Sequence, residues 1–329
     1  MMRRHGDALA APGMLDFAVN VWPGERPAPL RAALQAALED PRYPDDREAR
    51  AAVADRHGRT PAEVLTLNGA CEAFWLIAHA LRPRVAACVH PSFSEPEAAL
   101  RACRAEVVRV ARDPSDWSLD PDAVPARADV VVLGNPNNPT GGLDCTDTIL
   151  ALLRPGRLVV VDEAFMDFVP DEHASVASLE HDGLIVVRSI TKLWSLAGIR
   201  AGYVLGPPDL VATLGAQRQP WSVNSLAVAA LGVCARDRAT RLRVAADVAA
   251  ARDGLLASLA ALPDLRVWPS AANFLLLELP DGPAAIAALR AAGIAVRPAR
   301  SFPGLTANHI RIAVRRPADN RRLLDALAA

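Results

Sequence analysis

A lysine that directly follows a β-rich run is the clearest candidate for chemistry in this sequence. Lys192 lies in SITKLWSLAGIR, residues 189–200, immediately after the run LIVVR. A lysine at the mouth of a sheet can form an imine with an aldehyde cofactor, and hydroxyl groups and an arginine can hold that cofactor's phosphate. Ser189, Thr191 and Arg200 supply such groups. Taken alone, Lys192 is better explained as a surface lysine, because S-x-T-K is a short string.

A second candidate is the acidic residue at the end of an apolar run. Asp162 ends RLVVVD, whose apolar residues should be buried in a sheet. A carboxylate in that position is costly unless a cation pairs with it, and a protonated pyridine nitrogen is such a cation. The alternative is an aspartate that caps the following helix. The residue type and position therefore predict either a cofactor partner or a helix cap.

Two turns could complete a cofactor site. The stretch LGNPNNPTGG (133–142) follows VVVL, and Asn138 in it could donate a hydrogen bond to a ring hydroxyl. In LNGACEAFWLIAHAL (67–81) a helix should begin near Ala70, where backbone N–H groups such as that of Cys71 would form an anion site. Each stretch is equally typical of an ordinary turn, which the residues alone favour.

The elements that must position these residues alternate along the chain. Short β-rich runs recur with helical stretches between them, and several runs lack polar alternation, which predicts strands covered on both faces of a largely parallel sheet. Ligands sit at the carboxyl ends of strands in such sheets, where the candidate residues lie. The runs are VAACV (85–89), EVVRV (106–110), DVVVL (129–133), RLVVVD (157–162), LIVVRS (184–189) and AGYVLG (201–206).

A change of pattern near Asn224 predicts a second domain. The chain becomes Ala/Leu/Arg-rich and helical there, and ANFLLLEL and HIRIAVR then bracket a helix and the strand GIAVRP. Residues 1–40 are Pro-rich and then helical from Ala28 to Glu39, and they cannot form a core alone. We therefore predict an α/β protein with a large, mostly parallel α/β/α domain over residues 41–224 and a smaller α+β domain over residues 1–40 and 225–329.

Composition and charge exclude several classes of function. The 329 residues carry 36 Lys+Arg against 37 Asp+Glu, so no basic field exists to attract a nucleic acid or an anionic membrane. The five cysteines have no C-x-x-C spacing, which argues against a metal site and a disulfide framework and favours a reducing cytoplasm. The apolar run at 226–235 is too short to span a bilayer. We therefore expect an untargeted cytoplasmic protein without a bound metal.

The order of the motifs resembles that of the fold-type I pyridoxal-phosphate enzymes, the aspartate-aminotransferase superfamily. NGACEA, HPSF, NPNNPTG, DEAF and SITK follow one another across residues 68–200, with Arg200 eight positions after the lysine. The resemblance implies the aspartate-aminotransferase-like fold and pyridoxal 5'-phosphate as cofactor. It also implies that Lys192 forms the Schiff base and that Asp162 pairs with the ring nitrogen.

The same resemblance implies roles for the other residues around the cofactor. Phe93 would stack on the pyridine face and Asn138 would meet the ring oxygen, although Phe93 alone is equally a core residue. Phe165 stands where most transaminases have a tyrosine. The phosphate would be held by Ser189, Thr191, Arg200 and the backbone of Ala70 and Cys71.

The whole chain is most similar to the branch that contains histidinol-phosphate aminotransferases and threonine-phosphate decarboxylases. Tyr43 begins a motif of both, in which the tyrosine reaches across a dimer interface to the neighbour's cofactor phosphate, so a homodimer is implied. Arg297 and Arg311 match two substrate-binding arginines that could take a carboxylate and a phosphate. Without the resemblance, a loop tyrosine packed on its own domain and two solvated edge-strand charges are the simpler interpretations.

Within this branch the sequence favours the decarboxylase. The opening His5-Gly6-Asp7 and the residue Phe165 are closer to that family, and His5 and Asn20 are predicted to bind substrate. The implied reaction converts L-threonine O-3-phosphate to (R)-1-aminopropan-2-yl phosphate in cobalamin biosynthesis. The alternatives are a histidinol-phosphate type aminotransferase that uses 2-oxoglutarate, and a non-catalytic pyridoxal-phosphate-binding protein. Trp22 replaces the asparagine that the family usually has in the substrate-side loop, and it too is predicted to bind substrate.

Overall fold

Strands and helices alternate through most of the computed structural model, which describes residues 9–328. The strands are β1 (Leu15–Asp16), β2 (Val64–Leu67), β3 (Val85–His90), β4 (Glu106–Ala111), β5 (Val130–Gly134), β6 (Leu158–Asp162), β7 (Leu184–Ser189), β8 (Gly202–Leu205), β9 (Arg266–Val267), β10 (Phe274–Glu278), β11 (Ile294–Ala295), β12 (Arg297–Pro298) and β13 (His309–Ala313). The helices are α1 (Ala28–Glu39), α2 (Arg47–His57), α3 (Cys71–Leu81), α4 (Glu95–Ala102), α5 (Thr146–Leu150), α6 (Pro208–Gly215), α7 (Ser225–Arg236), α8 (Arg238–Ala260), α9 (Gly282–Ala291) and α10 (Pro317–Ala328). All six predicted runs form strands, and α1 has the predicted bounds.

The central sheet has seven strands in the order β2-β8-β7-β6-β5-β3-β4. The pairs β4-β3, β3-β5, β5-β6 and β6-β7 are parallel, whereas β8 is antiparallel to both β7 and β2. Apolar clusters cover both faces: Val159 and Val161 of β6 belong to one cluster, and Val160 belongs to the other. This arrangement confirms the predicted α/β/α architecture of aspartate-aminotransferase type.

A separate four-stranded sheet, in the order β12-β13-β10-β9, is antiparallel throughout. Leucines of α8, α9 and α10 pack with β10 and β13 in its core. The short strand β1 pairs in parallel with β11, which ties the amino-terminal segment to this part of the chain. In contrast, α1 packs against α7. Its Leu30 belongs to the apolar cluster that also contains Val159 and Val161 of β6, which we call the main core. The domain boundaries at residues 40/41 and 224/225 stay a prediction.

The longest helix, α8, has 23 residues and carries several arginines along its length. Within residues 9–328, none of the helices combines the length and the apolar character that crossing a membrane would require.

Candidate active site

The carboxyl ends of the central strands open into two adjoining cavities. The larger cavity has a volume of about 790 Å³ and is walled by loops of the central sheet, by residues 18–20 and by the second sheet. The smaller cavity, of about 130 Å³, lies against the strand ends of β6 and β7. The side chains that line both are Cys71, Phe93, Asn138, Phe165, Lys192 and Arg200. The structure thus brings most of the predicted cofactor residues into one site.

Lys192 lies at the junction of the two cavities, in the loop that follows β7. Its backbone carbonyl accepts a hydrogen bond from the N–H of Trp22 at 3.0 Å, which fixes the loop. Its Nζ lies 6.0 Å from the centroid of the Phe165 ring. Burial, together with the nearby Arg200 guanidinium, lowers the pKa of Lys192 to about 8, against the opposing effect of Asp162. A large fraction of this amine is therefore neutral near pH 8, which is the form that attacks an aldehyde.

Asp162 ends β6 and lines the smaller cavity. Its Oδ1 accepts a hydrogen bond from the N–H of Ala164 at 3.1 Å, so the carboxylate also stabilises the following turn. Burial raises the pKa of Asp162 to about 6, while the Ala164 N–H and the Lys192 ammonium act in the opposite direction. A buried carboxylate of raised pKa is stabilised by a cationic ligand, and a protonated pyridine nitrogen fits this requirement.

Three kinds of hydrogen-bond donor surround the other end of the smaller cavity. Helix α3 begins at Cys71 without a side-chain cap, and its amino-terminal end, with Ala70 and Cys71, lines the smaller cavity and turns the positive end of the helix dipole toward it. The hydroxyl oxygens of Ser189 and Thr191 lie 2.7 Å apart. The Arg200 guanidinium packs directly over Gly69. Backbone N–H, hydroxyl and guanidinium groups form a donor set that fits a phosphate.

Gly69 makes room for that guanidinium, and its replacement tests the phosphate end of the site. A Cβ at Gly69 would lie 2.9 Å from Cζ of Arg200, so Gly69→Ala is expected to displace Arg200 and weaken binding of pyridoxal 5'-phosphate roughly tenfold or more. Gly58→Ala is the matched control, because Gly58 also has a positive φ but open space around it. Both should lose about 1–2 kcal/mol of stability through backbone strain. Equal cofactor dissociation constants for the two variants would contradict this role of Arg200.

Two buried arginines line the larger cavity. Arg297 of β12 and Arg311 of β13 are directly opposite in the antiparallel pair, and each is 6% exposed. Arg311 donates to Oδ1 of Asn138 at 2.6 Å and to the carbonyl of Ala18 at 2.7 Å, and Arg297 donates to Oγ of Ser301 at 2.8 Å. Burial, together with the charge of Arg297, lowers the pKa of Arg311 to about 9. A phosphate or carboxylate bound here would relieve this repulsion.

The remaining lining residues include both predicted aromatic groups. The Phe93 ring lies 6.5 Å from that of Phe74, and Phe165 meets Phe274 edge to face with ring centroids 4.9 Å apart. Asn20 lines the larger cavity and is 5% exposed. Its Oδ1 and Nδ2 are buried and have no hydrogen-bond partner within residues 9–328.

Two of the predicted residues lie outside both cavities. Trp22 is 9% exposed and packs in the main core, where its indole covers Gly24, and it lines neither the larger nor the smaller cavity. Tyr43 is 73% exposed and stacks on Trp221 with ring centroids 4.3 Å apart. Its predicted contact with a neighbouring chain stays a prediction. The prediction for His5 lies outside the described residues.

The sequence analysis missed several residues of the larger cavity. Glu95 lies at the first turn of α4, and Ser301 and Phe302 follow β12. Their residue types are common in loops. The only available signal was their nearness in the chain to Phe93 and Arg297.

The fold and the site define a fold-type I pyridoxal-phosphate enzyme. The chain matches the aminotransferase class I and II family over residues 12–327 and belongs to that family. Pyridoxal 5'-phosphate is its cofactor: the donor set described above fits its phosphate, and the Asp162 carboxylate fits its protonated ring nitrogen. Among residues 9–328, no group of three or more His, Cys, Asp or Glu side chains could hold a metal ion.

Individual relatives carry two different names. The chain is 44% identical over 319 residues to a histidinol-phosphate aminotransferase of Mycobacterium bovis, a match that covers 95% of this chain and 87% of the relative. It is 33% identical over 328 residues to the threonine-phosphate decarboxylase of Salmonella typhimurium, and this match covers 95% of this chain and 90% of the relative. The crystal structure of the histidinol-phosphate aminotransferase from Clostridium acetobutylicum superimposes with a TM-score of 0.90 at 25% identity, covering 96% of this chain and 98% of that one.

Proposed function

We propose that this enzyme is an aminotransferase that acts on a small phosphorylated amine of the histidinol-phosphate type, with 2-oxoglutarate as the amino acceptor. The observation that carries the proposal is one continuous site: Lys192 lies at the junction of the two cavities, Asp162 lines the smaller one, and Arg297 and Arg311 line the larger one. The more similar of the two relatives supports transamination, whereas the sequence features alone favoured decarboxylation.

In this proposal each described residue has a physical task. When bound, the cofactor supplies an electron sink for the bond that breaks in the substrate. Asp162 keeps the ring nitrogen protonated, and the neutral form of Lys192 accepts and returns the substrate proton. Arg297 and Arg311 bind the substrate's anionic group and later a carboxylate of 2-oxoglutarate. The walls formed by Phe93 and Phe165 exclude water from the reacting atoms.

Decarboxylation of threonine phosphate is the second candidate. Two opposed arginines suit a substrate that carries both a carboxylate and a phosphate. Phe165 contributes an apolar wall where most transaminases have a tyrosine hydroxyl, and this agrees with the decarboxylase branch. The decarboxylase relative, which matches 95% of the chain, also supports this candidate.

One pair of incubations separates the two candidates. We expect glutamate from histidinol phosphate with 2-oxoglutarate, and little carbon dioxide from threonine phosphate. Histidinol is the matched control: without its phosphate it loses charge-assisted hydrogen bonds worth about 1.5–3 kcal/mol each, so kcat/KM should fall at least tenfold. Carbon dioxide from threonine phosphate without glutamate from the first mixture would make the second candidate correct.

We further propose a cytoplasmic homodimer. The exposed ring stack of Tyr43 and Trp221 supports an interface, because such rings are usually covered in an assembly. Within residues 9–328 the five cysteines form no disulfide, which supports a reducing compartment. Sedimentation of the full chain, with and without Tyr43→Ala, tests the assembly.

A further inference from the structure

A largely buried ionic cluster lies beside the carboxyl ends of β6 and β7, and none of its members lines either of the two cavities. Its members are Arg56, Glu163, Asp167, Glu172, Arg188 and Arg241. Nε of Arg188 lies 2.9 Å from Oε2 of Glu163, and Nη2 of Arg188 lies 2.7 Å from Oε2 of Glu172. Arg56 contacts Asp167 and Glu172 at 2.5 and 2.8 Å, and Arg241 lies 3.2 Å from Glu172. The three carboxylates and three guanidinium groups balance in charge.

Two members of the cluster are chain neighbours of cofactor residues. Glu163 follows Asp162, and Arg188 precedes Ser189. The strands β6 and β7 are adjacent and parallel, and the N–H of Glu163 continues their ladder by donating to the carbonyl of Val187 at 2.8 Å. Because consecutive strand side chains point to opposite faces, Asp162 and Ser189 line the smaller cavity while Glu163 and Arg188 lie behind it. The ion pair therefore spans the same two strands as the two cofactor residues.

Glu163 is held more tightly than the ion pair alone requires. It accepts hydrogen bonds from Oγ of Ser175 at 2.7 Å and from the N–H of Val176 at 2.8 Å. A buried ion pair is weak evidence for stability, because apolar residues of similar volume often stabilise a fold equally well. A pair with these fixed partners does restrict where its two strands can lie. Because Glu163 and Arg188 are the chain neighbours of Asp162 and Ser189, restricting these two strands also restricts the positions of the two cofactor residues.

We propose that the Glu163–Arg188 ion pair is a positioning element that sets the separation between Asp162 and Ser189. It thereby aligns the carboxylate for the cofactor's ring nitrogen with the hydroxyl for its phosphate. Both residues act through their chain neighbours, since neither lines a cavity. The proposal rests on the cofactor residues assigned above, and it is independent of which substrate the enzyme uses.

The first test measures the dissociation constant of pyridoxal 5'-phosphate from the full chain by equilibrium dialysis. Glu163→Gln keeps the shape of the side chain but removes its charge, and we expect the dissociation constant to rise roughly tenfold. Glu63→Gln is the matched control, because Glu63 is also buried, lies 2.7 Å from Arg59 just before β2 and lines neither cavity. It should lower thermal stability but leave cofactor affinity unchanged. Equal losses of affinity in both variants would overturn the proposal.

A double-mutant cycle distinguishes positioning from a general loss of stability. In an Asp162→Asn background, Glu163→Gln should change the dissociation constant by less than about threefold, because the group that it positions is already missing. In an Arg297→Lys background, Glu163→Gln should still raise the dissociation constant roughly tenfold. A tenfold effect in both backgrounds would refute the positioning role. If Glu163→Gln does not fold, Arg188→Lys takes its place under the same criteria, since lysine cannot contact both Glu163 and Glu172 as the guanidinium does.

Discussion

Lys192→Ala is expected to abolish covalent attachment of the cofactor and to lower turnover on the order of 10³-fold or more. Lys192 is the only lysine among the 329 residues, so no other side chain can form the imine. Its amine lies at the junction of the two cavities, and its lowered pKa of about 8 keeps part of it neutral. Borohydride reduction followed by mass spectrometry of the peptides should show the cofactor on wild-type Lys192 and on no other side chain.

Lys192→Arg is the matched control for charge and size. Arginine keeps a cation in the site, but it stays protonated and cannot form the imine. The loop itself should persist in both variants, because the N–H of Trp22 bonds to the backbone carbonyl of residue 192. Both variants should therefore fold and bind the cofactor reversibly. Cofactor that remains covalently attached in either variant would refute the assignment of Lys192.

The cofactor end of the site was predictable because its residues lie in short motifs directly after buried strands. Asp162 and Ser189 follow runs of valine and isoleucine, and the parallel sheet brings the carboxyl ends of those runs together. Strand β2 was missed, since the four residues VLTL give too short a pattern to separate a strand from a loop. It is fully buried and pairs with β8, so its strand conformation depends on long-range contacts.

The rest of the site depends on contacts between distant parts of the chain. The pairing of Arg297 with Arg311 follows from the register of β12 and β13, which no local pattern specifies. The core position of Trp22 depends on the fold of the loop that contains Lys192. The residue type of Arg188 does not predict its burial either. Arginine is rarely buried without charged partners, and only the folded chain supplies them.

Asp162→Asn is expected to lower turnover by about two to four orders of magnitude. Removing one partner of a buried ion pair costs about 3–5 kcal/mol, and about 1.4 kcal/mol corresponds to a factor of ten. Asparagine keeps the size of the side chain and can still accept from the Ala164 N–H, so the turn after β6 should persist. Steady-state kinetics with the wild-type protein as reference measure the loss, and cofactor affinity measured by dialysis shows how much of it arises in binding.

The same substitution should change how cofactor affinity depends on pH. In the cofactor-free site burial raises the pKa of Asp162 to about 6, so the carboxylate is ionised above this pH and protonated below it. A ring cation binds the ionised form and lowers the pKa of Asp162 below 6, so the contribution of Asp162 to affinity is fully present above pH 6 and declines progressively as the pH falls below 6. The cofactor's phosphate also titrates near pH 6, but it does so equally in both proteins. The difference between the two pH profiles therefore isolates Asp162, and profiles that run parallel from pH 5 to 8 would show that Asp162 does not pair with the ring nitrogen.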